Sequence, residues 1–426
     1  MKNNNAVLTS SRSDFSILFV NIALILYPAT VLLVPKMNGL IFGLLLLVSL
    51  VFAIRSMQVF SNLSSTEKIF FMSICLFFLS ALLSTLYAGV VYKTLGKYLY
   101  LLSAIPIYVY LKHVGIRLSY LWYGLIVGAI ITAFIASYEV LIVGLGRARS
   151  ITHPIIFGDI ALVMGCMSMA GLGWFKNKSS WQIALPVVAL LCGVFASILS
   201  QSRGGWLAVP FLIVLLFWYL QSSFSFKFKI TLAVFIIVFM GATYTIPQTK
   251  VSYQIHRTIA SLEAYNGSEI RSDKRTTSVG TRLEMWQASW KIFIENPVLG
   301  VGWGHYQKQA IMQVEQGLRN QKIARHSHPH NQFISALASG GIIGFVAILL
   351  LFLIPASLFI KTIKHDGNKE VQRLALAGLV LIVSYIIFGM SESILERSRP
   401  VNFFAFYLAV FMAAIYGQKE VISRKS

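Results

Sequence analysis

The chain has 426 residues, of which 57% are hydrophobic and 12% charged, with a formal net charge of +21. A soluble domain carries roughly 25% charged residues, so this composition excludes one and marks an integral membrane protein. The cations are scattered between apolar runs, as orientation charges are, so no nucleic-acid partner is expected. Cys75, Cys166 and Cys192 lie inside apolar runs, which leaves no disulfide framework and no zinc spacing.

A helix crosses a bilayer with about 20 mostly apolar residues. The apolar runs are too long for barrel strands, and open sheets cannot span lipid because their edge groups find no partners. The expected fold is all-α, a polytopic transmembrane helix bundle of about twelve spans. The runs fall at 16–34, 38–54, 69–89, 98–111, 119–143, 154–174, 182–200, 206–222, 230–247, 331–360, 374–390 and 402–416. The expected division is a bundle over 1–247, a large loop over 248–330 and further spans over 331–426. The tenth run is long enough to tilt or to begin outside the bilayer. The first run is a full span with no small-residue cleavage site, so it reads as retained.

An even number of spans puts both termini on one side. With that side cytoplasmic, the inner loops hold most of the cations, and the bias predicts both termini inside and residues 248–330 outside. The inner loops favour lysine and the outer loops arginine. Lysine suffices for orientation, whereas the planar guanidinium grips phosphate at two points.

In chain order, Arg147 and Arg149 flank an outer loop that closes with His153-Pro154. They are candidate phosphate contacts, with His153 in support. Glu139 and Asp159 are intramembrane carboxylates and so carry a functional hypothesis; a structural pairing of Glu139 with Arg147 explains the first equally well. Arg203 sits in Ser200-Gln-Ser-Arg-Gly-Gly-Trp206 between two spans. Its glycines would let backbone approach a ligand, and the plainer reading is an orientation charge.

In the large loop, residues 248–280 read as polar and mobile. Thr281 and Glu284 form a capping-box pattern for a helix over 281–295. This puts Arg282 at its first position, where the helix dipole already favours anions. Leu283, Trp286, Trp290 and Phe293 share one face, suited to the bundle or to the headgroup layer. The run Gly300-Val-Gly-Trp-Gly304 lacks the context of a dinucleotide loop and reads as a tight turn.

The segment His326-Ser-His-Pro-His330-Asn331 is the richest in titratable groups, where the polar loop meets the tenth run. With Ser327 or His328 as cap and Pro329 in the first turn, His330 opens that helix. There it stays wet enough to titrate near neutral pH and to take a proton from a sugar hydroxyl. A metal site is a second reading of three alternating histidines, but Pro329 breaks the alternation and no carboxylate adjoins. A plain interfacial histidine is the third. His328 is a supporting candidate. Glu392 and Glu396 lie one turn apart if their outer loop is helical, placed to orient a base or an acceptor sugar.

These residues resemble a family. His330-Asn331, nine residues, Gly341, two residues and Gly344 match the histidine pattern of O-antigen ligases. Arg203 followed by three residues and Leu207, and Thr281-Arg282 before an amphipathic helix, match its arginine motifs. The chain is similar to the group of O-antigen ligases, O-antigen polymerases and protein O-oligosaccharyltransferases. The resemblance implies a GT-C-like, inverting glycosyltransferase of the bacterial inner membrane, working at the periplasmic face without metal, nucleotide or other cofactor. Its implied donor is glycan on undecaprenyl pyrophosphate and its implied acceptor is lipid A-core. Carried over, His330 would be the catalytic base or acceptor-positioning residue, and Arg203 and Arg282 would hold the pyrophosphate. A polymerase and a protein oligosaccharyltransferase are the near rivals. A transporter or flippase explains the spans and the intramembrane carboxylates, but not a base and arginines gathered on the outer loops.

Overall fold

A computed structural model of the protein describes residues 14–89, 92–220, 251–265 and 277–423, with isolated positions between 226 and 241. Most of the expected ninth span, 230–247, and much of the polar segment 248–280 lie outside the described residues. The rest is helical: α1 (Asp14–Thr30), α2 (Met37–Arg55), α3 (Ser65–Tyr87), α4 (Leu99–Val114), α5 (Leu118–Ser137, continued by a π-turn over Tyr138–Ile142), α6 (Pro154–Ala170), α7 (Ser180–Leu199) and α8 (Arg203–Leu220). Then follow α9 (Val251–Tyr265), α10 (Ser278–Glu295), α11 (Tyr306–Glu315), α12 (Gln332–His365), α13 (Lys369–Gly389) and α14 (Ser398–Ser423). Among the described residues seven helices are long and apolar enough to cross a membrane, and α1, α6 and α8 are shorter apolar helices. The protein is an all-α, polytopic membrane protein.

The bundle is built around α13 and α14. Their most apolar windows are 78% and 89% buried, against 28% for α2, so α2 shows most of its surface to lipid while α14 is a central post. Helix α14 packs on α4 and α13, and α13 on α6, α8 and α12. Tyr27 of α1 stacks on Phe406 at 3.9 Å and donates to Asn402 Oδ1 at 2.5 Å, which satisfies a buried hydroxyl in apolar surroundings. Small residues set the closest approaches, as membrane helix interfaces require. A Cβ at Gly124 or Gly128 of α5 would fall 2.2 Å from Leu24 O or 2.7 Å from Pro28 O of α1.

Helix α12 is the element that positions the site. It is interrupted at Gly341, whose φ of 60° and ψ of −158° are not helical. The segment after α10 docks into this break. Val301 N–H donates to Ala338 O and Gly302 N–H to Ser339 O, while Ile342 N–H donates to Pro297 O. Ser84 of α3 donates to Leu299 O or Ser339 O at 2.7 and 2.6 Å. The glycine run is the expected turn, with positive φ at Gly300, Gly302 and Gly304. The tenth run is therefore a short helix before the break and a membrane-length helix after it.

Candidate functional site

Five connecting segments converge at one end of the bundle: the α5–α6 loop, the α7–α8 loop, the start of α10, the loop before α12 and the α13–α14 loop. His330 Nδ1 lies 2.7 Å from Glu392 Oε2. The sequence shows no carboxylate beside the histidines; the fold supplies one from 62 residues away. Glu392 is fully buried. Burial would raise its pKa, but the His330 hydrogen bond and the nearby His330, His328 and Arg397 side chains outweigh that and hold it at about 2. It is a fixed anion at neutral pH.

A carboxylate accepts only, so His330 carries its proton on Nδ1 and offers a lone pair on Nε2. Nε2 faces His326 Nδ1 at 3.3 Å. The expected capping of the following helix is corrected. Asn331, not Ser327 or His328, is the cap, its Oδ1 accepting from Phe333 and Ile334 N–H; asparagine is among the preferred N-caps. His330 thus stands before the helix, with φ at 52°, a left-handed conformation rare outside glycine and worth a stabilising context. That context is dense. Asn331 N–H donates to Ser393 Oγ at 3.2 Å, its Nδ2 donates to Met390 O, and Trp286 Nε1 donates to Pro329 O at 3.0 Å.

Arg282 is also re-placed. Helix α10 begins at Ser278 with Thr277 as cap, its hydroxyl accepting from Gly280 N–H. Arg282 is one turn inside rather than at the first position, and Glu284 is buried and accepts from Asn320 N–H at 3.3 Å instead of closing a capping box. Thr277 offers the same hydroxyl cap four residues earlier, which lengthens the helix. Burial lowers the Arg282 pKa and the charges of Glu392 and Asp159 act against this, which places the guanidinium among the acidic groups of the site.

Arg203 opens α8, with a terminal nitrogen 3.5 Å from Ser278 Oγ at the start of α10. Its two glycines admit protein, not an evident ligand. A Cβ on Gly204 would meet Ser391 Oγ at 2.0 Å, and one on Gly205 would meet Asp159 Oδ1 at 2.9 Å. Asp159 is buried and accepts from Ser202 Oγ at 2.6 Å, leaving Oδ2 without a partner. Arg147 Nε and Nη2 donate to Ser200 O and Gln201 O at 2.8 and 3.2 Å. The expected alternative pairing with Glu139 is not found, because Glu139 instead accepts from the backbone N–H groups of Arg149 and Ser150. Burial and the charges of Arg203 and Arg282 lower the Arg147 pKa, so these three guanidiniums form one cationic zone. Arg149 is exposed.

His153 caps α6 with Nδ1 accepting from Ile155 N–H at 3.4 Å. Burial, helped by Arg397, lowers it to about 4. Burial likewise lowers His328 to about 4 against the pull of Glu392, so both are neutral near pH 7. Glu396 parts company with Glu392, since the segment forms only a 3-10 turn over Ile394–Glu396, which cannot keep residues four apart on one face. Glu396 is ion-paired with Lys97 and accepts from Ser335 Oγ at 3.3 Å, pinning the loop that carries Glu392. Sequence reading missed Arg397 as a site residue; its Nε is 3.6 Å from Glu392 Oε1. The signal was present as one more arginine on an outer loop.

Ligand atoms of His328, His330 and Glu392 lie within 4.8 Å of one another. Their types would suit a divalent ion. Their surroundings do not: Arg397 and Arg282 press on the same carboxylate, and a cation there would meet like charge.

Fold and site define a polytopic membrane protein with a histidine–glutamate pair beside a zone of guanidiniums. Residues 186–349, which hold Arg203, Arg282 and His330, match the family model described as O-antigen ligase. It is 25% identical over 386 residues to an uncharacterized protein of Haemophilus influenzae, covering 90% of this chain and 95% of that one. It is also 25% identical over 200 residues to the ComP-specific O-oligosaccharyltransferase of Acinetobacter baylyi, covering 46% of this chain and 33% of that one. These likenesses support an enzyme of the glycosyltransferase type whose substrates include lipid-linked glycan.

Proposed function

We propose that the protein transfers O-antigen glycan from undecaprenyl pyrophosphate to lipid A-core at the periplasmic face of the inner membrane, with both termini cytoplasmic. The observation that carries this reading is the His330–Glu392 pair beside Arg203 and Arg282. Glu392 fixes the imidazole and stabilises the imidazolium that forms, as the third member of a catalytic triad does. His330 Nε2 takes the proton of the acceptor hydroxyl, in the place His326 Nδ1 now faces. The oxygen attacks the anomeric carbon from the side opposite the pyrophosphate, the bond to the pyrophosphate breaks, and the anomeric configuration inverts.

Negative charge grows on the leaving pyrophosphate, and prepositioned guanidiniums stabilise it in a low-dielectric cleft. Arg203 and Arg282 have this role. Arg147 supports them through the two carbonyls that immediately precede Ser202 and Arg203, and Arg149 is an exposed outer contact. His153, His328 and Glu396 shape the cleft. Guanidiniums doing the work of a divalent ion make the reaction independent of metal, and no other cofactor is called for.

A second reading, transfer to a protein acceptor, is favoured by the similarity to an O-oligosaccharyltransferase. Purified protein reconstituted with polyprenyl-pyrophosphate glycan tests both. Ligation to lipid A-core in the presence of EDTA and without nucleotide is expected. Transfer to a pilin-like protein but not to lipid A-core would establish the second reading; lengthened glycan left on its carrier would mark a polymerase. Loss of activity in EDTA with recovery in magnesium would overturn the guanidinium argument.

A further inference from the structure

Helix α10 has two apolar faces. One, with Met285, Ala288 and Ile292, is buried against the protein. The other lines an open groove of about 590 Å³ with Leu283, Trp286, Trp290, Ile294 and, from the first turn of α12, Ile334. Trp290 is 55% and Ile294 62% exposed, which a water-facing helix has no reason to maintain. Arg319 stands on the rim. Its Nη1 donates to Gln287 Oε1 at 3.1 Å and its Nε has no partner. Lys291 is also on the rim but is ion-paired with Glu295, so Arg319 supplies the net charge.

We infer that this groove seats an acyl chain of the phosphorylated glycolipid acceptor, with Arg319 on its phosphate. The inference rests on the ligase reading above. Three observations select this occupant. The groove is continuous with the lipid-facing flank of the bundle: Ile343 N–H donates to Val298 O, and Ile294, Val298, Ile343 and Val346 are all exposed. A chain can thus slide in from the bilayer without crossing water. A tryptophan-lined site at such a border suits the boundary between headgroups and acyl chains. The groove also touches the base, because Trp286 in its wall donates to Pro329 O, the residue before His330. The donor's pyrophosphate is assigned to the guanidinium zone, so the acceptor needs its own approach to His330, and this groove is one.

The test is a binding measurement that needs no turnover. Protein in phosphatidylcholine nanodiscs is titrated with lipid A carrying brominated acyl chains, and tryptophan fluorescence is read. Saturable quenching is expected, lost in large part in Trp290→Phe. Ile294→Asp, at an exposed position, should raise the half-saturation point at least tenfold. Arg319→Ala should raise it about fivefold for phosphorylated lipid A and leave the dephosphorylated form unchanged, the size of one charge-assisted contact. His330→Ala should bind as the unaltered protein does. Quenching that merely grows in proportion to bromine content, and equally with brominated phosphatidylcholine, would reduce the face to a membrane anchor and overturn the proposal. No quenching at all would mean that another part of the chain fills the groove, and would overturn it too. Saturable binding together with normal transfer by His330→Ala would instead defeat the ligase chemistry and leave the groove standing.

Discussion

Glu392 Oε2 sits 2.7 Å from His330 Nδ1, and this contact joins the loop between α13 and α14 to the loop that leads into α12. It fixes the tautomer of the imidazole and therefore which nitrogen can act as a base. His330→Ala should reduce transfer by about 10²–10⁴-fold, the usual worth of a general base, through turnover rather than donor binding. Glu392→Gln keeps the shape but removes the anion, and should lower turnover as well. Glycan would accumulate on its polyprenyl carrier in cells with either variant. Normal ligation by stably inserted His330→Ala protein would refute the assignment.

Arginine and lysine should separate clamp from strut. Arg203→Lys and Arg282→Lys retain charge but lose the two-pronged geometry, so each should lower turnover about 10²–10³-fold, as loss of one oxyanion donor does. Arg147 has its prongs on the carbonyls of Ser200 and Gln201. Arg147→Lys should therefore lower thermal stability together with activity, whereas the other two leave stability nearly unchanged. Turnover and melting temperature measured on the same detergent preparations decide it. Three variants with unaltered turnover would make all of these orientation charges.

Stability should fall as the solution is acidified. Burial holds His153 and His328 at about 4 in the folded protein, against 6.5 when free. Below pH 6.5 the unfolded chain therefore takes up protons that the folded one refuses, and stability drops until the folded values are reached. Glu392, held at about 2 against 4.5, contributes stability above pH 4.5 that is lost only as pH falls toward 2. The melting temperature should decline from about pH 7 to pH 5, and His328→Gln should flatten that decline. A melting temperature constant across this range would contradict the buried, neutral state of both histidines.

Gly341 should be intolerant of any side chain. Its φ is 60°, and an added Cβ would lie 2.3 Å from Val298 O. Backbone strain of this kind costs about 1–3 kcal/mol, and the clash with a carbonyl held in place by the Ile343 N–H adds to it. Gly341→Ala should lower the melting temperature by several degrees and weaken transfer, since the break in α12 carries the short helix that Asn331 caps. Gly43→Ala, with nothing within 4 Å, is the matched control.

Hydropathy and charge by themselves determined the membrane class, the helical architecture, and where most of the described apolar helices lie, because lipid leaves helices little alternative. The spacing of His330, Asn331, Gly341 and Gly344 pointed to the family. Local patterning was less decisive at helix starts. Thr281 and Ser327 are sound caps in isolation, but Thr277 and Asn331 are equally good and are the ones whose neighbours pack. Only tertiary structure brought Glu392 to His330, sent Glu396 to Lys97, turned Arg147 toward the carbonyls beside Arg203, and laid a bare apolar face of α10 next to the base. Each depends on which side chain meets which across segments far apart in sequence. Periodicity reports what a helix buries, whereas the partner of a charge is chosen by the packing of every helix around it.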